Sequence, residues 1–144
     1  GFQLRQAPEF AFTKIYVGSA PTSALGKELK RNIASNSKVT VVDTPTAAQV
    51  VLDVLNEQRE KIVVGLNASG QVREFELRIR LRFKLRTPDG KELIPDSEIV
   101  QQQDISYNES AALAKEQEEQ LLYRSMQSDI VQQLMRRLSA IKSI

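Results

Sequence analysis

From Phe75 to Arg86 apolar and polar positions alternate without a miss. Phe75, Leu77, Ile79, Leu81, Phe83 and Leu85 take one parity, and Glu76, Arg78, Arg80, Arg82, Lys84 and Arg86 take the other. A period of two over that length predicts a β-strand with one buried face and one wet face. The wet face repeats a cation at Arg78, Arg80, Arg82, Lys84 and Arg86, one about every 6.7 Å. So much like charge must be neutralised within the protein or meet something anionic outside it.

The next residues fix how that strand is paired. In Thr87-Pro88-Asp89-Gly90-Lys91, proline suits the first corner of a type I turn and aspartate the second. Glycine suits the left-handed position that closes a three-residue hairpin loop. The register that follows sets Arg86 opposite Glu92, Arg82 opposite Asp96 and Arg80 opposite Glu98, with Leu85 facing Leu93 and Ile79 facing Ile99. Charged and apolar pairs fall into place together, which supports the hairpin. Arg78 and Lys84 face Val100 and Ile94, so the same register gives them no carboxylate opposite. Pro95 cannot donate a ladder hydrogen bond, so strand 92–107 is an edge strand or is bulged there.

Elsewhere the pattern is shorter. Residues 1–10 have no period. Phe12, Ile15 and Val17 predict a short strand ending near Gly18. Pro21 and Thr22 or Ser23 start a helix, with Leu25, Leu29 and Ile33 at spacing four, that runs to about Ser35. Val39, Val41 and Val42 predict a second short strand. Ala48–Leu66 alternates at both ends, and the intervening NEQREK at 56–61 is read as a bulge or a splayed, exposed segment. From Asn108 or Ser110 to about Leu138, Leu122, Met126, Ile130, Leu134 and Leu138 at spacing four predict a long helix. At about 1.5 Å per residue it reaches roughly 43 Å, enough to cross a sheet face. The order is β-α-β-β-β-β-α. A helix between the first two strands implies a parallel crossover pair, and the remaining strands are expected to be hairpin-linked and antiparallel. The expected fold is α+β: a two-layer sandwich with two helices packed on one face of a mostly antiparallel mixed β-sheet.

Composition narrows the chemistry. At 144 residues the chain suits one domain. The net charge of +2 means that charge is arranged locally rather than in bulk. With no cysteine and no histidine, thiol nucleophiles, disulfides, Cys/His zinc sites and a serine–histidine–carboxylate triad are excluded within this chain. No glycine-rich phosphate loop or nucleophile elbow is present, so an enzyme is not expected, nor a cofactor. Single-strand nucleic-acid binders interleave aromatics with cations on one face. Here Phe75 and Phe83 point away from the arginines, which argues against nucleic acid. No apolar run approaches a membrane span and no signal peptide is present. The start at Gly1 suggests a processed mature protein or a trimmed chain.

Two candidate binding features stand out. One is the basic strand, whose plainer reading is a solvated face held by weak cross-strand ion pairs. The other is Ala111–Glu119, where Lys115 stands among Glu116, Glu118 and Glu119, and whose plainer reading is an ordinary solvated helix turn. A lysine near a helix start is slightly opposed by the helix dipole.

Three segments carry a resemblance. The opening GFQLR resembles the residues that follow the lipidated cysteine of the outer-membrane lipopolysaccharide-assembly lipoprotein family LptE, formerly rare lipoprotein B. The Gly70-containing turn, long alternating strand and hairpin to Pro95 resemble that family's central sheet. The helix 112–138, with Ala112-Leu113-Ala114-Lys115 and Leu134-Met135-Arg136-Arg137-Leu138, resembles its C-terminal helix. The resemblance implies one domain over 1–144, its residues 1–10 an irregular segment after a lipidated cysteine that would precede Gly1. It implies a lipid anchor in the outer membrane at the periplasmic face, a place as a plug in the LptD β-barrel, and binding of lipopolysaccharide through its lipid A phosphates. It places the family's lipopolysaccharide-binding lysine at Lys115. In the loop at Asn67–Gln71, Ala68 stands where the family has a cation, and Arg73 or the strand cations Arg78, Arg80, Arg82, Lys84 and Arg86 are expected to supply that charge instead. Two other uses remain open: a generic protein-interaction domain pairing through edge strand 92–107, and a polyanion-binding module using the basic strand.

Overall fold

A computed structural model describes residues 9–66, 68–106 and 112–144, with all side chains of these except 72–73 and 112–114. The strands are β1 (Lys14–Gly18), β2 (Thr40–Val41), β3 (Val50–Leu66), β4 (Val72–Arg86) and β5 (Glu92–Ser106); the helices are α1 (Ala24–Ala34) and α2 (Ala112–Ser139). The strands form one mixed sheet in the order β2-β1-β3-β4-β5. The fold is α+β in the expected order, with both helices on the sheet. Residues 1–8 of the predicted irregular N-terminus and the predicted start of the long helix at 108–110 lie outside the described residues. The chain divides into two compact units, and β3, β4, β5 and α2 each contribute residues to both.

The first unit holds residues 1–54, 83–97 and 131–144. Here β1 runs parallel to both neighbours, with Ile15 opposite Val41 on β2 and Val50 on β3. Helix α1 makes the β1–β2 crossover. It starts where Ser23 Oγ accepts the Gly26 N–H at 2.9 Å, which satisfies one of the first-turn donors. Its stripe of Leu25, Leu29 and Ile33 is buried with Phe12, Ile15, Val17, Leu52, Phe83, Leu85, Leu134 and Leu138. The two helices meet where Gln132 Nε2 donates to Asn32 Oδ1 at 3.4 Å. At the β4–β5 turn Gly90 takes φ +101°. Its N–H donates to Thr87 O at 3.0 Å, while the Thr87 N–H donates to Lys91 O at 2.9 Å, as the predicted loop requires.

One expectation about pairing needs correction. β3 is not a hairpin partner of the strand before it; it lies beside β1 and parallel to it. A 3-10 turn at Pro45–Ala47 carries the chain back to the start of β1. There the Gln49 N–H donates to Lys14 O at 3.0 Å, and Gln49 Oε1 accepts the Thr13 N–H at 2.6 Å. From that point β3 sets off in the same direction as β1. Pro95 lies on β5, at the sheet edge, as its missing N–H suggested.

The second unit holds residues 55–82 and 98–130. Leu77, Ile79 and Leu81 of β4, Ile99 and Ile105 of β5, and Met126 and Ile130 of α2 are buried in it. Tyr123 Oη donates to Glu60 O at 2.8 Å. The Arg59 guanidinium lies 5.1 Å from the Tyr123 ring centroid and donates to Gln127 Oε1 at 2.9 Å. Lys61 Nζ sits 4.3 Å from the Phe75 ring centroid and 2.9 Å from Glu119 Oε2. Helix α2 therefore covers the Phe75–Leu81 side of β4. Burial, and secondarily the charge of Glu119, pushes the Tyr123 hydroxyl pKa up. Among the described residues no helix is long and apolar enough to cross a membrane.

Candidate functional site: the cationic strand and Lys115

The alternation of β4 holds through the described residues. Leu77, Ile79, Leu81, Phe83 and Leu85 are all buried. The intervening cations emerge on the other side, and most are already neutralised.

In the second unit, Arg78 bonds Glu76 Oε1 at 2.5 Å along its own strand and lies 3.7 Å from Glu60 Oε2. Arg80 bridges two strands, 3.2 Å from Glu60 Oε1 and 3.1 Å from Glu98 Oε1. Its bond to Glu60, then the charge of Glu98, raises its pKa further. The Arg80–Glu98 pair is one of the three that the hairpin register predicted. Arg82 and Asp96 also each have an interaction. In the first unit, Arg86 Nε donates to Asp53 Oδ2 at 2.8 Å, so its partner comes from β3 and not from Glu92. Lys84 is half-buried. Among the described residues it has no ion pair.

Arg78 thus departs from the reading that left it without a carboxylate. The hairpin register considered only β5, whereas β4 is flanked on its other side by β3. Asp53 and Glu60 of β3 both reach even-numbered β4 cations, yet they are seven residues apart. Unbroken alternation would send them to opposite faces. One extra residue between them restores the match, and a bulge within NEQREK would supply it. The same offset turns Arg59 and Lys61 toward α2.

Lys115 lies in the first turns of α2 and pairs with Glu118 Oε2 at 3.0 Å, its side chain 21% exposed. Helix α2 covers the side of β4 opposite to Arg78 and Arg80. The structure therefore does not bring Lys115 together with those arginines. Arg73 belongs to β4. Its side chain lies outside the described residues, as does Asn67 of the loop that precedes it. Among the described residues no cluster of acidic side chains is arranged to hold a metal ion.

A lone lysine held by one exposed carboxylate, on a helix above an apolar sheet face, does not define an activity by itself. Comparison with known proteins gives it a context. A family model described as "LptE: Lipopolysaccharide-assembly" matches residues 12–138. The chain belongs to the LptE family. The LPS-assembly lipoprotein LptE of Pectobacterium atrosepticum is 28% identical over 145 residues, which span 98% of this chain and 77% of that protein. The solution structure of a lipoprotein B from Nitrosomonas europaea superposes with TM-score 0.84 at 34% identity, over 97% of this chain and 91% of that one. The rare lipoprotein B of Shewanella oneidensis shares the fold, with TM-score 0.76 at 23% identity, over 89% of this chain and 95% of its own. The LptE fold thus accounts for the two helices and the five-stranded sheet together.

Proposed function

We propose that this LptE-family chain is a non-enzymatic lipoprotein of lipopolysaccharide assembly, held by an N-terminal lipid at the periplasmic face of the outer membrane. It binds lipopolysaccharide and assists the LptD β-barrel, whose lumen it plugs. The match of the family model over residues 12–138 carries this reading. The lipid A phosphates suit an ammonium point charge and guanidinium forks. Lys115 is the leading contact. Its one partner among the described residues, Glu118, is 49% exposed on its side chain, so a phosphate exchanges for it at little cost. Lys84 has, among the described residues, no ion pair to break. Arg78, Arg80, Arg82, Arg86 and Arg73 extend the candidate set, and for Arg78, Arg80 and Arg86 binding must compete with carboxylates already in place. Such cations displace the divalent ions that bridge lipopolysaccharide molecules.

Retention on immobilised lipopolysaccharide tests the site. Lys115→Asp is expected to weaken retention while the thermal melt stays near that of the parent. Arg78→Glu with Lys84→Glu is expected to weaken it less. Full retention by Lys115→Asp would discard Lys115 as the contact. Co-purification with a large outer-membrane barrel tests the partner.

A second reading has one supporting observation: β5 is a sheet-edge strand of 15 residues, open to pairing by another chain. Under it, substitutions on β5 abolish partner capture while Lys115→Asp leaves it unchanged.

A further inference from the structure

The nearly neutral chain hides an uneven division of charge. The first unit holds 12 Lys and Arg against 7 Asp and Glu, and the second holds 8 against 11. Within the first unit, the topology gathers several of the unmatched cations at one end. Parallel pairing sets Lys14 beside Thr40, so the starts of β1 and β2 lie together. Helix α1 returns between them, and its last turn carries Arg31 at the same end. The link from α1 to β2 is tight: the Lys38 N–H donates to Asn36 Oδ1 at 3.0 Å, and the Val39 N–H to Asn36 O at 3.1 Å. Lys38 is thereby held two residues from Thr40. The end of the chain arrives there too, since Lys142 lines a small cleft with Glu9, Phe10 and Ala11, just before β1.

Lys14, Arg31, Lys38 and Lys142 are all exposed. Among the described residues none of them has an ion pair. Arg31 suits the dipole of its helix C-terminus, which explains one cation and not four. Glu9 and Asp43 are the nearby exposed carboxylates among the described residues, too few to offset them. The described chain also enters at this end, where residues 9–11 lead into β1.

From this convergence we infer that the end of the first unit formed by Lys14, Arg31, Lys38 and Lys142 is a docking surface for anionic phospholipid headgroups. Its orientation toward a bilayer rests on the lipid-anchored reading above, because a lipid attached ahead of residue 1 would draw this end to the membrane. The surface is separate in sequence and in unit from Lys115. Clustered basic residues near a membrane each add measurably to its attraction, and the effect falls off within a Debye length.

Flotation of the 144-residue chain with vesicles tests the inference. The probes are phosphatidylcholine vesicles with and without phosphatidylglycerol. Binding to the anionic vesicles is expected, with little to neutral ones, and it falls as salt rises. Lys14→Glu with Arg31→Glu and Lys38→Glu is expected to reduce partition by about a hundredfold. Lys115→Asp is expected to leave it unchanged. A circular-dichroism melt near that of the parent shows that the triple variant is folded; should it unfold, the single variants Arg31→Glu and Lys38→Glu are each expected to lower partition several-fold. Equal binding to neutral vesicles, or unchanged binding by the reversed variants, overturns the inference. Lipopolysaccharide retention is scored in parallel. A chain that retains lipopolysaccharide but ignores anionic vesicles refutes the docking surface alone. One that floats with vesicles but does not retain lipopolysaccharide refutes the functional reading and leaves the surface standing.

Discussion

Thr87 is buried, and its hydroxyl works twice: it accepts the Lys91 N–H at 3.0 Å and donates to Asp89 Oδ1. That donated bond holds the Asp89 carboxyl below the ordinary carboxylate range. The folded pKa lies below the unfolded one, so the contribution to stability is complete above the unfolded value and is lost as pH falls through the folded one. Thr87→Val keeps the shape and removes the hydroxyl. In a carboxyl titration followed by NMR, Asp89 is expected to move up toward its ordinary value in that variant. An unmoved Asp89 would point to a different donor. Ser23 gives a second residue-level prediction. Ser23→Ala leaves the Gly26 N–H without its acceptor and is expected to cost about 1 kcal/mol in chemical denaturation. Gly26 is constrained for another reason: a Cβ there would lie 2.8 Å from Ser19 Cβ. The difference between Lys84 and Arg80 is likewise invisible in the alternation, which gives both the same parity. Only the neighbouring strands distinguish a cation that is occupied from one that is available.

Among the elements, β4, the β4–β5 turn and both helices were legible in the sequence, because local rules determine them. An unbroken period of two and a Pro-Asp-Gly turn leave one sensible pairing, and Arg80–Glu98 confirms it at 3.1 Å. Gly90 has open space around the position of a Cβ, so Gly90→Ala tests backbone conformation alone. It is expected to cost roughly 1–2 kcal/mol by the left-handed penalty. The partners of Arg78 and Arg86 were not legible. They come from β3, whose register against β4 depends on a bulge that no local rule locates to the residue. The parallel β1–β3 pairing was missed for a related reason. It depends on the hydrogen bonds of Gln49 to Thr13 and Lys14, more than 30 residues away, and no periodicity reports such a contact.

At the scale of the molecule, β3, β4, β5 and α2 supply residues to both compact units. Neither unit has a complete set of strands without the other, so unfolding is expected to be a single two-state transition. Leu29 is buried in the first unit and Ile130 in the second, both fully. Leu29→Ala and Ile130→Ala are each expected to cost about 2–5 kcal/mol. Circular dichroism and tyrosine fluorescence should report one shared midpoint for each variant; separate midpoints would mean two domains. The charge division between the units is equally a property of the whole, since each unit is assembled from separate stretches of the chain. The offset inside β3 has a further consequence. The seven-step interval from Asp53 to Glu60 carries one tooth more than an even-stepped strand needs. Substitutions between them are tolerable, and removing Gln58 would leave the two carboxylates six residues apart, an interval that an unbroken strand keeps on one face, so Arg86 and Arg80 are expected to keep their partners. The stretch should forgive changes of identity and the loss of its one spare residue.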